Sequence, residues 1–153
     1  QLANDAIAKS ELNNRLILNA GLDAIVIIDE KGVITFWNPQ AEKIFGWKED
    51  EVINKLLSET IVPDRHRENH NKGLAHFLAT GEGPILNKIM ELTALKKNNE
   101  EIPVELSITP IKRDTGIAFC SFIRDISERK KAELELKASQ EIWQFALEAV
   151  FLR

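Results

Sequence analysis

The chain has 153 residues, enough for one domain with a proper core and too few for two of ordinary size, and its 44% hydrophobic and 29% charged residues describe a globular protein. A formal charge of -4 with no basic stripe argues against nucleic acid as the main partner. No signal peptide is visible, no apolar run approaches the roughly 20 residues of a membrane-spanning helix, and the single cysteine, Cys120, excludes an internal disulfide. These features predict a soluble segment in a reducing, cytoplasmic compartment that makes no membrane contact of its own, and they leave the membrane attachment of a longer protein open.

Residues 2 to 18 predict a helix, with Leu12 and Leu16 four apart and polar residues between the apolar positions. Ala24 to Asp29 is an isoleucine-rich run that suits a buried strand. Asp29-Glu30-Lys31-Gly32 follows as a turn in which Gly32 takes a positive φ, and Val33 to Trp37 resumes the strand. Asn38 then caps a short helix that has Pro39 at its first position, Ala41, Ile44 and Phe45 on one face, and Gly46 at its end. Lys48 to Val52 continues as a short helical piece, and Asn54 is placed to tolerate a left-handed backbone. Pro63-Asp64 opens the longest internal helix, residues 64 to 79, which stops near Gly81 and Gly83.

Three strands are predicted next. Ile85 to Leu95 alternates loosely, Lys96-Lys97-Asn98-Asn99 bends the chain, and Ile102, Val104, Leu106 and Ile108 alternate with Pro103, Glu105, Ser107 and Thr109. Asp114-Thr115-Gly116 turns into a last strand, Ile117 to Ile123, and a long helix leaves it. On that helix Ala132, Leu136, Ser139, Trp143, Ala146 and Val150 follow the four-three spacing of a dimer seam, so a homodimer through terminal helices is expected. The order of elements predicts an α+β fold in which a five-stranded antiparallel sheet carries helices on one face and is flanked by N- and C-terminal helices.

Asn38, Ala41, Gly46 and Trp47 after a strand hairpin resemble the opening of a PAS domain. Ile123-Arg124-Asp125-Ile126-Ser127-Glu128-Arg129-Lys130 resembles the segment that joins such a domain to its output helix. The resemblance covers about residues 20 to 127. It divides the chain into a flanking helix (1–20), a PAS sensory domain (21–126) and a signalling helix (127–153). Asn54 stands where relatives usually have Gly, and Asn98-Asn99 where they often have Asp-Gly. Residues 139 to 150 resemble the start of a following PAS domain, which points to a fragment of a longer tandem sensor. The resemblance implies a non-catalytic module that senses a small ligand or cofactor between sheet and helices and passes the change to an effector. That effector is a histidine kinase of a two-component system or a cyclic-dinucleotide enzyme such as a diguanylate cyclase or phosphodiesterase. The competing reading is a ligand-free connector that dimerises and relays strain.

His66, His70 and His76 all fall on the 64 to 79 helix, and at about 100° per residue His70 shares a face with Leu74, Phe77 and Leu78. Haem-binding PAS sensors carry their proximal histidine on this helix seven residues after a proline, the interval from Pro63 to His70. The resemblance therefore implies haem held by His70, with Leu74, Phe77 and Met90 around it; Trp37 and Trp47 are candidate pocket residues with a buried core role as the alternative, and metal binding by His70 is expected only through haem. Met90 stands where oxygen-sensing relatives have an arginine, and a thioether cannot donate the hydrogen bond that arginine gives. The competing reading of His70 is a packed or hydrogen-bonded core histidine, so the cofactor stays open. His66 and His70 are spaced to clamp zinc, but no third ligand stands out. Flavin photochemistry is disfavoured because Cys120 lies on the last strand. No phosphate loop, nucleophile elbow or kinase signature appears, and no catalytic residue is assigned.

Overall fold

The computed structural model describes residues 23–83 and 87–151. The predicted helix over residues 1–20 lies outside the described residues. The elements are β1 (Ala24–Asp29), β2 (Ile34–Trp37), α1 (Pro39–Phe45), α2 (Glu49–Val52), a 3-10 turn (Leu57–Glu59), α3 (Asp64–Thr80), β3 (Ile89–Leu95), β4 (Glu101–Arg113), β5 (Gly116–Asp125) and α4 (Ser127–Phe151). The strands form one antiparallel sheet in the order β2-β1-β5-β4-β3, so the fold is α+β with the expected five strands.

Local chemistry explains the first turn and cap. Gly32 sits at φ 83, its amide donates to the Asp29 carbonyl at 3.0 Å, and Asp29 Oδ1 accepts from Lys31 and Val33. Asn38 caps α1 by accepting from the Ala41 amide at 3.0 Å and reaches back to β1, accepting from the Ile25 amide at 2.9 Å. Its side-chain amide also donates to the Asp23 carbonyl at 3.0 Å, so one fully buried residue locks the hairpin to the first helix. Asn54 adopts φ 69, as its tolerance of left-handed geometry predicts, and its amide bonds the Ile34 carbonyl.

The third strand begins later than expected. Asn87 takes φ 60 and donates from its amide to the Ile108 carbonyl, a turn that delays the ladder until Ile89. Ile85 lies outside the described residues.

Strand alternation divides the apolar residues between two faces. Val26, Ile28, Val104, Phe119 and Ile123 join Ala41, Phe45, Leu57 and Phe77 in the main core beneath the helices. Ile25, Ile27, Ala118 and Cys120 form a smaller cluster on the other face. Cys120 is buried there, and burial pushes its thiol pKa up, away from reactivity. The described part of α4 buries none of its residues. No helix among the described residues is long and apolar enough to cross a membrane.

Candidate ligand cavity

The α3 helix starts after Pro63 and ends at Gly81, which takes φ 75. Its start is tied to β4 by the Arg65 guanidinium, which forks onto both carboxylate oxygens of Glu101. His66 and His76 are exposed, whereas His70 is half-buried and turned with Leu74 and Phe77 toward the strands. Leu78, expected on the same face, is 41% exposed. It lies about 80° around the helix from His70, on the flank of that face.

Between α3 and the sheet lies a two-lobed apolar cavity. One lobe, about 330 Å³, opens toward β3 and is walled by Ile61, Val62, Leu92, Ala94, Val104 and Leu106. The other, about 220 Å³, is walled by Ile28, Leu74, Phe77 and Phe119, with the two phenyl rings edge to face at 5.0 Å. Leu57, Asn69, His70, Ile108 and Ser121 line both lobes and so form the waist between them. Among the described residues no Asp, Glu, Lys or Arg lines either lobe, and His66 touches the first lobe alone. A larger depression, about 430 Å³, lies at the far end of α3 beside Glu82, Asn87 and Lys112, and none of the three histidines lines it.

His70 gives the waist its chemistry. Its Nδ1 is buried and has no hydrogen-bond partner among the described residues. Burial lowers the imidazole pKa, opposed by the neighbouring Asn71 side chain, so the ring is held toward its neutral form. A neutral imidazole with an unpaired nitrogen can accept a proton donor, donate to an acceptor or coordinate a metal, and leaving that nitrogen bare costs free energy. Among the described residues no group of three or more His, Cys, Asp or Glu side chains could hold a metal ion.

The other sequence candidates separate. Leu74 and Phe77 join His70 around the second lobe. Met90 is half-buried on β3 opposite Leu106, on the same strand face as Leu92, but lines neither lobe. Trp37 is 1% exposed, tilts against Phe45 and donates from Nε1 to the Trp47 carbonyl at 3.0 Å, which makes it part of the core outside the cavity lining. Sequence reasoning did not name Ser121, Leu57 or Ile61. The signal available for Ser121 was its place between Phe119 and Ile123 on the inward parity of β5.

The PAS domain family model matches residues 22–128, from the residue before Asp23 to the first turn of α4. The chain belongs to the PAS domain family. It is 27% identical over 135 residues to the sensor protein FixL of Bradyrhizobium diazoefficiens, a match that covers 88% of this chain and 26% of that protein. It is 26% identical over 110 residues to the oxygen sensor protein DosP of Escherichia coli, covering 72% of this chain and 14% of that one. The PAS domain of an HTR-like protein from Haloarcula marismortui superposes with a TM-score of 0.63 at 17% identity, covering 81% of this chain and 98% of that chain, which shows the shared fold. The chain thus spans about a quarter or less of the length of the two curated PAS relatives.

Proposed function

We propose that this PAS domain is the sensory part of a multidomain signalling protein, in which an occupant of the α3 cavity is held through His70 and its presence is passed along α4 to an effector. The observation that carries this reading is the bare, buried Nδ1 of His70 at the waist of an apolar cavity. A buried polar atom without a partner is costly unless a bound group supplies one. The domain itself contributes binding and relay, and catalysis belongs to the effector, a histidine kinase or a cyclic-dinucleotide enzyme.

Haem is the cofactor whose needs these residues fit. Neutral imidazole is an axial donor for haem iron, and largely apolar walls suit the apolar body of the macrocycle. The likeness to an oxygen sensor supports the same reading. His70 would hold the group, with Leu74 and Phe77 packed beside it. When bound, haem supplies an iron centre that takes small gases. Flavin adduct chemistry has no support here, because Cys120 belongs to the cluster on the opposite sheet face.

The ligand-free connector is the second reading, favoured by one observation. The α4 helix exposes Leu136, Trp143 and Val150 at 61%, 67% and 69%, as a helix that pairs with a second copy would. An absorption spectrum and native mass of protein expressed with haem precursor decide between the two. A Soret band with one haem per chain supports the sensor. A protein of bare chain mass with no Soret band supports the connector.

A further inference from the structure

Apart from Leu57 of the 3-10 turn, the waist of the cavity has two walls. His70 and Asn69 come from α3; Ile108 and Ser121 come from the sheet, where they are register partners across β4 and β5. Ile108 is apolar, so the one hydrogen-bonding side chain on the sheet side of the waist is that of Ser121. It is 7% exposed and held in register between Val26 of β1 and Ile108 of β4, so its position is set by two ladders. The other hydroxyl in the lining, Thr93, lies on the exposed edge strand and touches the first lobe alone. Met90 lines neither lobe and has no proton to donate.

We infer that Ser121 is the specificity residue of this site: its hydroxyl, facing His70 across the waist, gives the hydrogen bond to whatever small molecule binds between them. This rests on the haem reading above: with His70 holding the group from the α3 side, a further small ligand would take the sheet side of the waist, where Ser121 stands. With no Asp, Glu, Lys or Arg in the lining among the described residues, the sheet side of the waist discriminates by a neutral dipole. A serine hydroxyl both donates and accepts, so it stabilises a polar diatomic molecule over an apolar one of the same size.

The test uses the haem-loaded chain, reduced and exposed to carbon monoxide as a vibrational probe. A hydroxyl that donates toward the probe's oxygen lowers the C–O stretching frequency. Ser121→Ala is expected to raise that frequency, Ser121→Thr to keep it near the wild-type value, and Thr93→Val to leave it unmoved. Transfer of the unmutated protein into D2O is expected to shift the band, a readout that needs no variant to fold. A full Soret band with a stretch unmoved in both Ser121→Ala and D2O overturns the assignment of Ser121 and leaves the haem reading standing. Absence of any Soret band in the wild type overturns the haem reading and this inference with it.

Discussion

Glu91 and Glu105 stand directly opposite each other across the β3–β4 ladder, and Arg129 of α4 holds both. Two carboxylates in that position repel, and the guanidinium resolves the repulsion by donating to Glu91 at 2.7 Å and to Glu105 at 2.9 Å. Lys130 adds a second contact to Glu91 at 2.6 Å. Both carboxylates adjoin cavity residues on their own strands: Leu92 follows Glu91, and Val104 and Leu106 flank Glu105. The first turns of α4 are thereby tied to the strands that wall the cavity.

That junction should loosen in acid. The hydrogen bond from Lys130 holds the Glu91 carboxyl below its ordinary value of 4.5, aided by the charges of Lys130 and Arg129 and opposed by partial desolvation. A depressed carboxylate contributes stability above its ordinary pKa and loses it as pH falls through the lowered one. Amide exchange in residues 128–134, corrected for intrinsic rate, is therefore expected to quicken as pH drops below about 4.5, with the core unchanged because exposed pairs hold structure only locally. The double variant Glu91→Gln with Glu105→Gln should show the quickened exchange already at neutral pH. Protection equal to wild type in that variant would show that the cluster does not hold α4.

The sign is the same for His70, for a different reason. Desolvation lowers its pKa from 6.5, so the unfolded chain takes up a proton before the folded one does. Stability should be full above about pH 6.5 and decline as pH falls from there through the lowered value. A His70→Leu variant, unable to titrate, is expected to flatten that part of a urea-denaturation profile measured between neutral and mildly acidic pH. An unchanged slope would mean that His70 is not the group responsible.

Asn38→Ala should be the most damaging single change near the hairpin. It removes a helix cap, the bond from Ile25 and the bond to Asp23 at once. The expected loss is about 2–4 kcal/mol, because a lost cap adds to backbone groups left buried without partners. Denaturant melts give the number, and a change under about 1 kcal/mol would contradict the role assigned to Asn38.

Asn38 was legible because its task is local: a cap, a proline at the next position and a strand before it all fall within a few residues. The inward turn of His70 was legible for the same reason, since helical phase needs only sequence spacing. Cavity membership was not. Which side chains meet at the waist depends on the pairing of Ser121 with Val26 and Ile108, residues 95 and 13 positions away, and no local pattern specifies that register. Trp37 illustrates the converse. Pocket wall and core were both open for it from sequence, and the Trp47 carbonyl that accepts from its indole N–H goes with the core role.

The seam proposed for α4 has its own test. Ala132, Leu136, Ser139, Trp143, Ala146 and Val150 are all exposed, and Ile142 and Phe145, at 69% and 74%, widen the apolar surface beyond them. If α4 pairs with a second copy and relays by phase, inserting one residue near Lys137 in the full-length protein should uncouple signal from output by turning later positions about 100°. Inserting seven should largely preserve regulation. Equal tolerance of both insertions would rule out a phased relay.

The central claim is that His70 anchors the occupant of the α3 cavity. Difference spectra of haem titrated into wild type, His70→Ala and His76→Ala test it most directly. The account predicts a saturating Soret band in wild type and in His76→Ala, and its loss in His70→Ala. A band of equal strength in all three proteins would contradict it.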